Sequence, residues 1–250
     1  MAGKAPILVL LHPFPMDASF WGPMWRELGA DVTLLTPEFP GFGAAPPVDA
    51  PTIAGFAREV AGQIRAEPPG VATVVGLSLG GYVALALARD HPDVVAGLVL
   101  ANTRAEGDDA TARAGRDRAI DTVRIDGLDT YLATLLPRLL GVAATPEAWE
   151  RAQAIARLQD PEAVCLALEA LRDRPDRSRG LEGIAVPTTV IIGSDDVVMP
   201  REAAETLADG IPGATLATIE GAGHLSALER PAEFAVLVAV TISRVGRDSA

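Results

Sequence analysis

Ser78 stands in Gly76-Leu77-Ser78-Leu79-Gly80-Gly81, directly after the apolar run Ala72-Thr73-Val74-Val75 and directly before the helix-forming Tyr82-Val83-Ala84-Leu85-Ala86-Leu87-Ala88. A chain that passes from strand to helix over one residue must turn very sharply. The turning residue then takes a strained backbone, and side chains beyond hydrogen at the flanking positions would clash. The glycines meet that demand. The same turn lifts the serine hydroxyl clear of the sheet, where a base and a carbonyl can both reach it. The segment thus predicts a βα unit of a parallel sheet, with a nucleophilic serine at the carboxyl end of its strand.

The rest of the chain repeats the pattern. Residues 7–11, 32–36, 73–76, 97–101, 188–192 and 215–219 are short, continuously apolar or β-branched runs, as strands covered on both faces should be. Helices are expected over 19–28, 52–66, 79–90, 201–208 and 231–244, with Pro231 suited to a first helical turn. Strand and helix in alternation are the signature of parallel βαβ units.

That alternation stops after Asn102-Thr103. The following stretch is charged and helical, dominated by alanine, leucine and arginine and punctuated by Gly107, Gly127, Pro137, Gly141, Pro146 and Pro161. It predicts three or four short helices inserted before the fifth strand. Residues 1–104 and 181–250 would form the core, and residues 105–180 a helical cap. Leu132, Leu135, Leu136, Leu139, Leu140 and Trp149 are expected mostly as the cap's own core. Trp21 and Trp25, four apart, are expected as packing residues. Asp248-Ser249-Ala250 is expected to fray.

Composition excludes several classes. With 250 residues, 49% of them hydrophobic, the chain can bury a full core as one α/β domain with an insertion. A net charge of −12 argues against nucleic acid and anionic membrane surfaces as partners. The single cysteine, Cys165, excludes an internal disulfide and a cysteine-based metal site, and in Ala163-Val164-Cys165-Leu166 it reads as a small buried hydrophobe. Three histidines argue against a zinc site built on several of them. No stretch approaches a membrane span. The apolar run after Met1-Ala2-Gly3-Lys4 is too short for a signal segment and is interrupted by His12-Pro13, so a cytoplasmic protein is expected.

A serine hydroxyl is a weak nucleophile at neutral pH. It needs a base within hydrogen-bond reach, and the base needs a carboxylate to hold its tautomer. His224, in Glu220-Gly221-Ala222-Gly223-His224 just after the last strand, suits the base, whereas His12 precedes the serine and His91 lies at the far end of the helix the serine starts. The acid comes from Gly193-Ser194-Asp195-Asp196. Asp196 is preferred because it stands at the loop tip, four residues before Pro200; Asp195 is the alternative, and one of the pair is left as a turn residue.

A developing oxyanion needs preorganised donors. The Leu79 N–H comes with the turn. In His12-Pro13-Phe14-Pro15, Pro13 has no N–H, so Phe14 is the natural second donor. Phe14 would also wall an acyl pocket, and Met199 and Leu225, each beside a catalytic loop, are the other expected substrate-binding residues. Arg104, Arg113, Arg116 and Arg118 could meet a substrate carboxylate, although a solvated helix face explains such a run more simply.

Residues 11–21, Pro40-Gly41-Phe42-Gly43, 76–82, 193–200 and 221–231 resemble the α/β-hydrolase superfamily, a likeness that covers essentially the whole chain. Leu98-Val99-Leu100-Ala101-Asn102-Thr103 before an arginine-bearing insertion, and Arg174-Pro175-Asp176, resemble the small capped branch around 3-oxoadipate enol-lactonases and related carboxylesterases. The resemblance implies Ser78 as nucleophile, His224 as base, Asp196 as orienting acid, and Phe14 and Leu79 as oxyanion donors. Two departures stand out. Pro13 replaces a usual glycine and restricts φ. The chain also enters its first parallel strand by Ile7, without the usual antiparallel pair, which implies a mostly or wholly parallel sheet of about six strands flanked by helices.

The activity implied is hydrolysis of a small-molecule carboxylic ester or lactone through an acyl-enzyme, with no metal or organic cofactor, by a monomer or homodimer. The same scaffold also hosts carbon–carbon bond hydrolysis of diketone-like substrates, perhydrolase or haloperoxidase-like activity, and noncatalytic ligand binding. An intact Ser, His and Asp set speaks against the last, since a binding module has no need of all three.

Overall fold

Continuously apolar strands can hide both faces only inside a layered α/β arrangement, and that requirement sets the architecture. The computed structural model describes residues 5–29 and 31–248. Its strands are β1 (Ile7–Leu11), β2 (Thr33–Leu35), β3 (Ala72–Leu77), β4 (Val95–Ala101), β5 (Thr188–Gly193) and β6 (Thr215–Ile219). Among the described residues they form one sheet in the order β2-β1-β3-β4-β5-β6, and every pairing is parallel. Strands β1, β3 and β5 are buried throughout, whereas the edge strands β2 and β6 are partly exposed. The edge strand β2 is shorter than expected. The inner strands β3 to β5 run one or two residues beyond their expected bounds, because neighbours on both sides extend the ladder.

Helices α1 (Gly22–Leu28), α2 (Ile53–Ala66) and α3 (Leu79–Asp90) occupy the connections before β4. Between β4 and β5 lie α4 (Ala110–Asp126), α5 (Leu128–Leu139), α6 (Pro146–Arg157) and α7 (Pro161–Arg172), and the chain closes with α8 (Arg201–Gly210), α9 (Ser226–Glu229) and α10 (Pro231–Asp248). Polar caps start many of them: Thr52, Asp109, Thr145 and Asp160 accept backbone N–H groups at the starts of α2, α4, α6 and α7. Helix α3 packs on β1, β3 and β4 and against α2, while α10 packs on β3 to β6 and against α1. The expected helix over 19–28 opens as a 3₁₀ turn at Ala18–Trp21, because the Asp17 carboxylate accepts the Ser19 N–H at 2.9 Å.

Other expectations resolve in the same way. The single turn α9 was not foreseen, and Asp248 ends α10 rather than a frayed tail; Ser249 and Ala250 lie outside the described residues. Trp21 is buried edge-on to Phe20 and beside Phe234, and Trp25 packs half-buried against the core. Cys165 is fully buried in α7, and Leu132, Leu136, Leu139 and Leu140 are buried while Leu135 and Trp149 are partly so.

The strand order positions the site. From β1 the chain crosses to β2 at one edge, and from β3 it crosses to β4 on the other side. The carboxyl ends of β1 and β3 therefore flank the switch point of the sheet, where a crevice opens in folds of this kind. The loop after β1 and the turn at Ser78 both lie there.

Candidate active site

Ser78 joins β3 to α3 with φ 54° and ψ −111°, a conformation L-residues rarely adopt. The flanking glycines permit it. A Cβ on Gly76 would stand 2.2 Å from the Gly80 carbonyl oxygen, and one on Gly80 would stand 2.0 Å from that of Leu11. The strand beside it fastens the turn: the Ser78 N–H donates to the Ala101 carbonyl at 2.9 Å, and the Thr103 hydroxyl donates to the Ser78 carbonyl at 3.1 Å.

The Ser78 hydroxyl lies 2.8 Å from His224 Nε2, and His224 Nδ1 lies 2.9 Å from Asp196 Oδ2. The His224 side chain is 2% exposed and that of Asp196 is fully enclosed, so water does not compete for these bonds. An Nδ1–H donated to the carboxylate leaves Nε2 free to accept from the serine. Burial works to raise Asp196. The charge of His224 and hydrogen bonds from His224, Asn102 and the Met199 N–H outweigh it and hold the carboxyl below its ordinary range. Asp195 instead accepts from the neighbouring Ser194 hydroxyl at 3.0 Å. The structure thus brings Ser78, His224 and Asp196 together and leaves Asp195 on the turn.

Two residues that sequence reasoning passed over hold this set. Asn102, in the first position after β4 and with φ 47°, donates to Asp196 Oδ2 at 2.8 Å and to the Gly223 carbonyl at 3.3 Å, and accepts from the Ser226 hydroxyl at 2.5 Å. It is fully buried. The available signal was an amide side chain directly after an apolar parallel strand, in line with the serine one strand away.

Glu229 is the other. Its carboxylate accepts from the Gly141 N–H at 2.8 Å and the Gly223 N–H at 3.1 Å, tying the loop before His224 to the link between α5 and α6. Burial raises its pKa above the ordinary carboxylate range, although the backbone N–H bonds act against the rise. The two loops touch so closely that a Cβ on Gly223 would lie 2.3 Å from the Gly141 nitrogen.

After β1, the Pro13 carbonyl accepts the Met16 N–H at 2.9 Å, closing a turn around Phe14 and Pro15. His12 anchors the turn from behind. Its Nδ1 lies 3.2 Å from the Pro13 carbonyl and its Nε2 accepts the Phe39 N–H at 3.1 Å, while Phe39 and Phe42 pack against the ring. Full burial pulls its pKa down to about 4. Among the described residues no group takes up the N–H of Phe14 or of Leu79. Both donors are free at the switch point.

A cleft of about 580 Å³ opens between α4, α5 and the loop after β5. Met199 lines it, and so does Tyr131, whose ring centroid lies 6.5 Å from that of Phe14 and whose phenol burial pushes up to about 12. Leu225 is fully buried and lies away from this lining, with its N–H on the Leu139 carbonyl. Arg104, Arg116 and Arg118 face the cleft, joined by Arg138, whereas Arg113 turns away to Asp173.

Residues 8–237 match the family model described as the alpha/beta hydrolase family. The chain belongs to the alpha/beta hydrolase family. It is 35% identical over 247 residues to a pimeloyl-[acyl-carrier protein] methyl ester esterase of Aromatoleum aromaticum, covering 93% of this chain and 96% of that one. It is 30% identical over 234 residues to a putative carbamate hydrolase of Klebsiella pneumoniae subsp. pneumoniae, covering 88% and 85%. Among solved structures, a malate-bound thermophilic esterase from Thermogutta terrifontis superposes with a TM-score of 0.91 at 31% identity, over 97% of this chain and 91% of that one. The enol-lactonase from Burkholderia xenovorans LB400 superposes at 0.84 with 27% identity, over 96% and 92%. This α/β-hydrolase thus has esterases and a lactonase among its relatives, as the sequence resemblance implied. No helix among its described residues is long and apolar enough to cross a membrane.

Proposed function

We propose that this α/β-hydrolase is a serine hydrolase that cleaves a small carboxylic ester or lactone through an acyl-enzyme on Ser78. The observation that carries the reading is the unbroken chain from Ser78 Oγ to His224 Nε2 at 2.8 Å and from His224 Nδ1 to Asp196 at 2.9 Å. Ser78 Oγ attacks the carbonyl carbon as its proton passes to His224 Nε2. Asp196 holds the imidazole's tautomer and stabilises the imidazolium. The negative charge that gathers on the carbonyl oxygen is met by the free N–H groups of Phe14 and Leu79, each worth a few kcal/mol when preorganised.

Collapse of the tetrahedral intermediate expels the alcohol, which takes the proton from His224. A water deprotonated by the same imidazole then attacks the acyl-enzyme and releases the acid. The helices over 105–180 act as a cap that sets the substrate, a role supported by the cleft they share with the loop carrying Asp196 and Met199. The names of the esterase and enol-lactonase relatives support the ester or lactone class.

Hydrolysis of p-nitrophenyl esters of increasing acyl length, with Ser78→Ala beside the wild type, tests the reading. Turnover that disappears in folded Ser78→Ala is expected, and the chain-length profile sizes the pocket. Folded wild type that turns over neither esters nor lactones would overturn it.

A further inference from the structure

The cleft beside Met199 has a charge pattern that the reaction itself does not call for. Acidic residues outnumber lysine and arginine 33 to 21 in this chain, yet the charged residues lining the cleft are Arg104, Arg116, Arg118 and Arg138, with no carboxylate among them. Two of the four share one carboxylate. Asp108 lies at 2.7 Å from Arg104, 3.1 Å from Arg116 and 2.7 Å from Arg174, and its side chain is fully enclosed. A single carboxylate among three guanidinium groups leaves positive charge uncompensated.

Among the described residues Arg118 and Arg138 have no such partner. Elsewhere on the same four helices, Arg113, Arg124, Arg157 and Arg172 pair with carboxylates and Arg151 donates to the Ser19 carbonyl. Among the described residues Arg118 and Arg138 make neither kind of bond, and both line the cleft. Leu135, Leu168, Val198 and Met199 give the wall an apolar stretch that suits a short hydrocarbon chain, beside the polar Thr122, Tyr131 and Thr134. Val198 and Met199 also bond Asp196 through their backbone N–H groups, so the cleft abuts the triad loop.

We propose that the arginine-lined cleft binds an oxyanion carried by the substrate, a carboxylate or phosphate group set a few methylenes from the ester or lactone carbonyl that Ser78 attacks. Arg118 and Arg138 supply the charge-assisted hydrogen bonds, and the planar guanidinium suits the two oxygens of such a group. The apolar wall holds the intervening chain. This inference rests on the serine hydrolase reading for its substrate, but not for its binding site.

The test compares p-nitrophenyl monoesters of glutaric, adipic and pimelic acids with neutral p-nitrophenyl esters of equal chain length. The anionic member of a pair is expected to show about tenfold higher kcat/KM, carried by KM and falling as sodium chloride rises. Arg118→Gln and Arg138→Gln should each lower the anionic-to-neutral ratio by about fivefold or more. Arg65→Gln, which removes the same charge from an exposed pair with Asp93, should leave it unchanged.

Neutral esters turned over as well as anionic ones, or a ratio unmoved by both arginine substitutions, would overturn the proposal while leaving the serine hydrolase reading intact. Binding is tested apart from turnover by titrating Ser78→Ala with glutarate and with inorganic phosphate and following Tm. A saturable rise with either, lost in Ser78→Ala/Arg118→Gln/Arg138→Gln, supports the site, and the tighter of the two names the group. No rise with either counts against it, whatever the esterase assay gives.

Discussion

Ser78 and Asn102 are two of the three non-glycine residues with positive φ among those described, and they stand at the ends of adjacent strands. Strain gathered at one spot is held there by the surrounding bonds, and here those bonds aim a hydroxyl and a carboxylate at the two nitrogens of His224. Asp196→Asn should therefore lower kcat by on the order of 10³-fold or more, while Asp195→Asn should stay within a few-fold of wild type. Steady-state kinetics on one ester checks the pair, and a reversed order would assign the acid to Asp195. His12 carries a stability prediction. Its folded pKa of about 4 lies below the ordinary 6.5, so the unfolded chain gains a proton that the folded chain refuses as pH falls through that window. Stability is complete above pH 6.5 and is lost toward pH 4, by about 3 kcal/mol in all. Glu229, raised above the ordinary carboxylate range, acts in the opposite sense just above pH 4.5, and Asp196, lowered, acts only at more acid pH. Urea denaturation across pH 4–7 should show a steeper loss in wild type than in His12→Asn.

Among the elements, the turn from β3 to α3 was legible from the chain because every part of it is local: an apolar run, glycines where neighbours crowd, and a helix former behind. The link between α5 and α6 was not legible. Its place depends on Glu229, 88 residues away from Gly141, and no periodicity reports such a partner. Glu229→Ala would leave the N–H groups of Gly141 and Gly223 buried without acceptors, at a cost of about 2–4 kcal/mol. Because Gly223 adjoins His224, kcat should fall together with Tm. A loss of Tm alone would show that the His224 loop keeps its geometry without this tie.

At the scale of the molecule, the helices between β4 and β5 are held by polar ties to the loops after β1 and β2 and by ion pairs around one enclosed carboxylate. Gln159 bridges Asp17 Oδ2 at 3.0 Å and the Gly43 N–H at 3.3 Å, and Asp108 gathers Arg104, Arg116 and Arg174 behind the cleft. Removing the enclosed carboxylate leaves the Arg174 guanidinium, itself 3% exposed, desolvated and without its charge partner. Asp108→Asn should cost about 3 kcal/mol or more and lower Tm by roughly 6–12 °C. Breaking the exposed Arg65–Asp93 pair should leave the thermal transition where it is. Differential scanning calorimetry of the two variants separates enclosed charge from surface charge.

The amino-acid sequence by itself determined the parallel α/β sheet, the run of helices between the fourth and fifth strands, the strained serine and the histidine after the last strand. Each is written in local periodicity, in turn chemistry or in chain order, and so survives without knowledge of distant contacts. Tertiary structure alone decided which aspartate meets His224, that Asn102 and Glu229 hold the loops, and that Arg138 joins Arg104, Arg116 and Arg118 on one wall. Those partners lie 28 residues apart for Asp196 and His224 and 94 for Asn102 and Asp196. A short polar side chain reveals its role only when folding brings its partner within about 3 Å, and the carboxyl ends of neighbouring parallel strands are where this fold makes that happen.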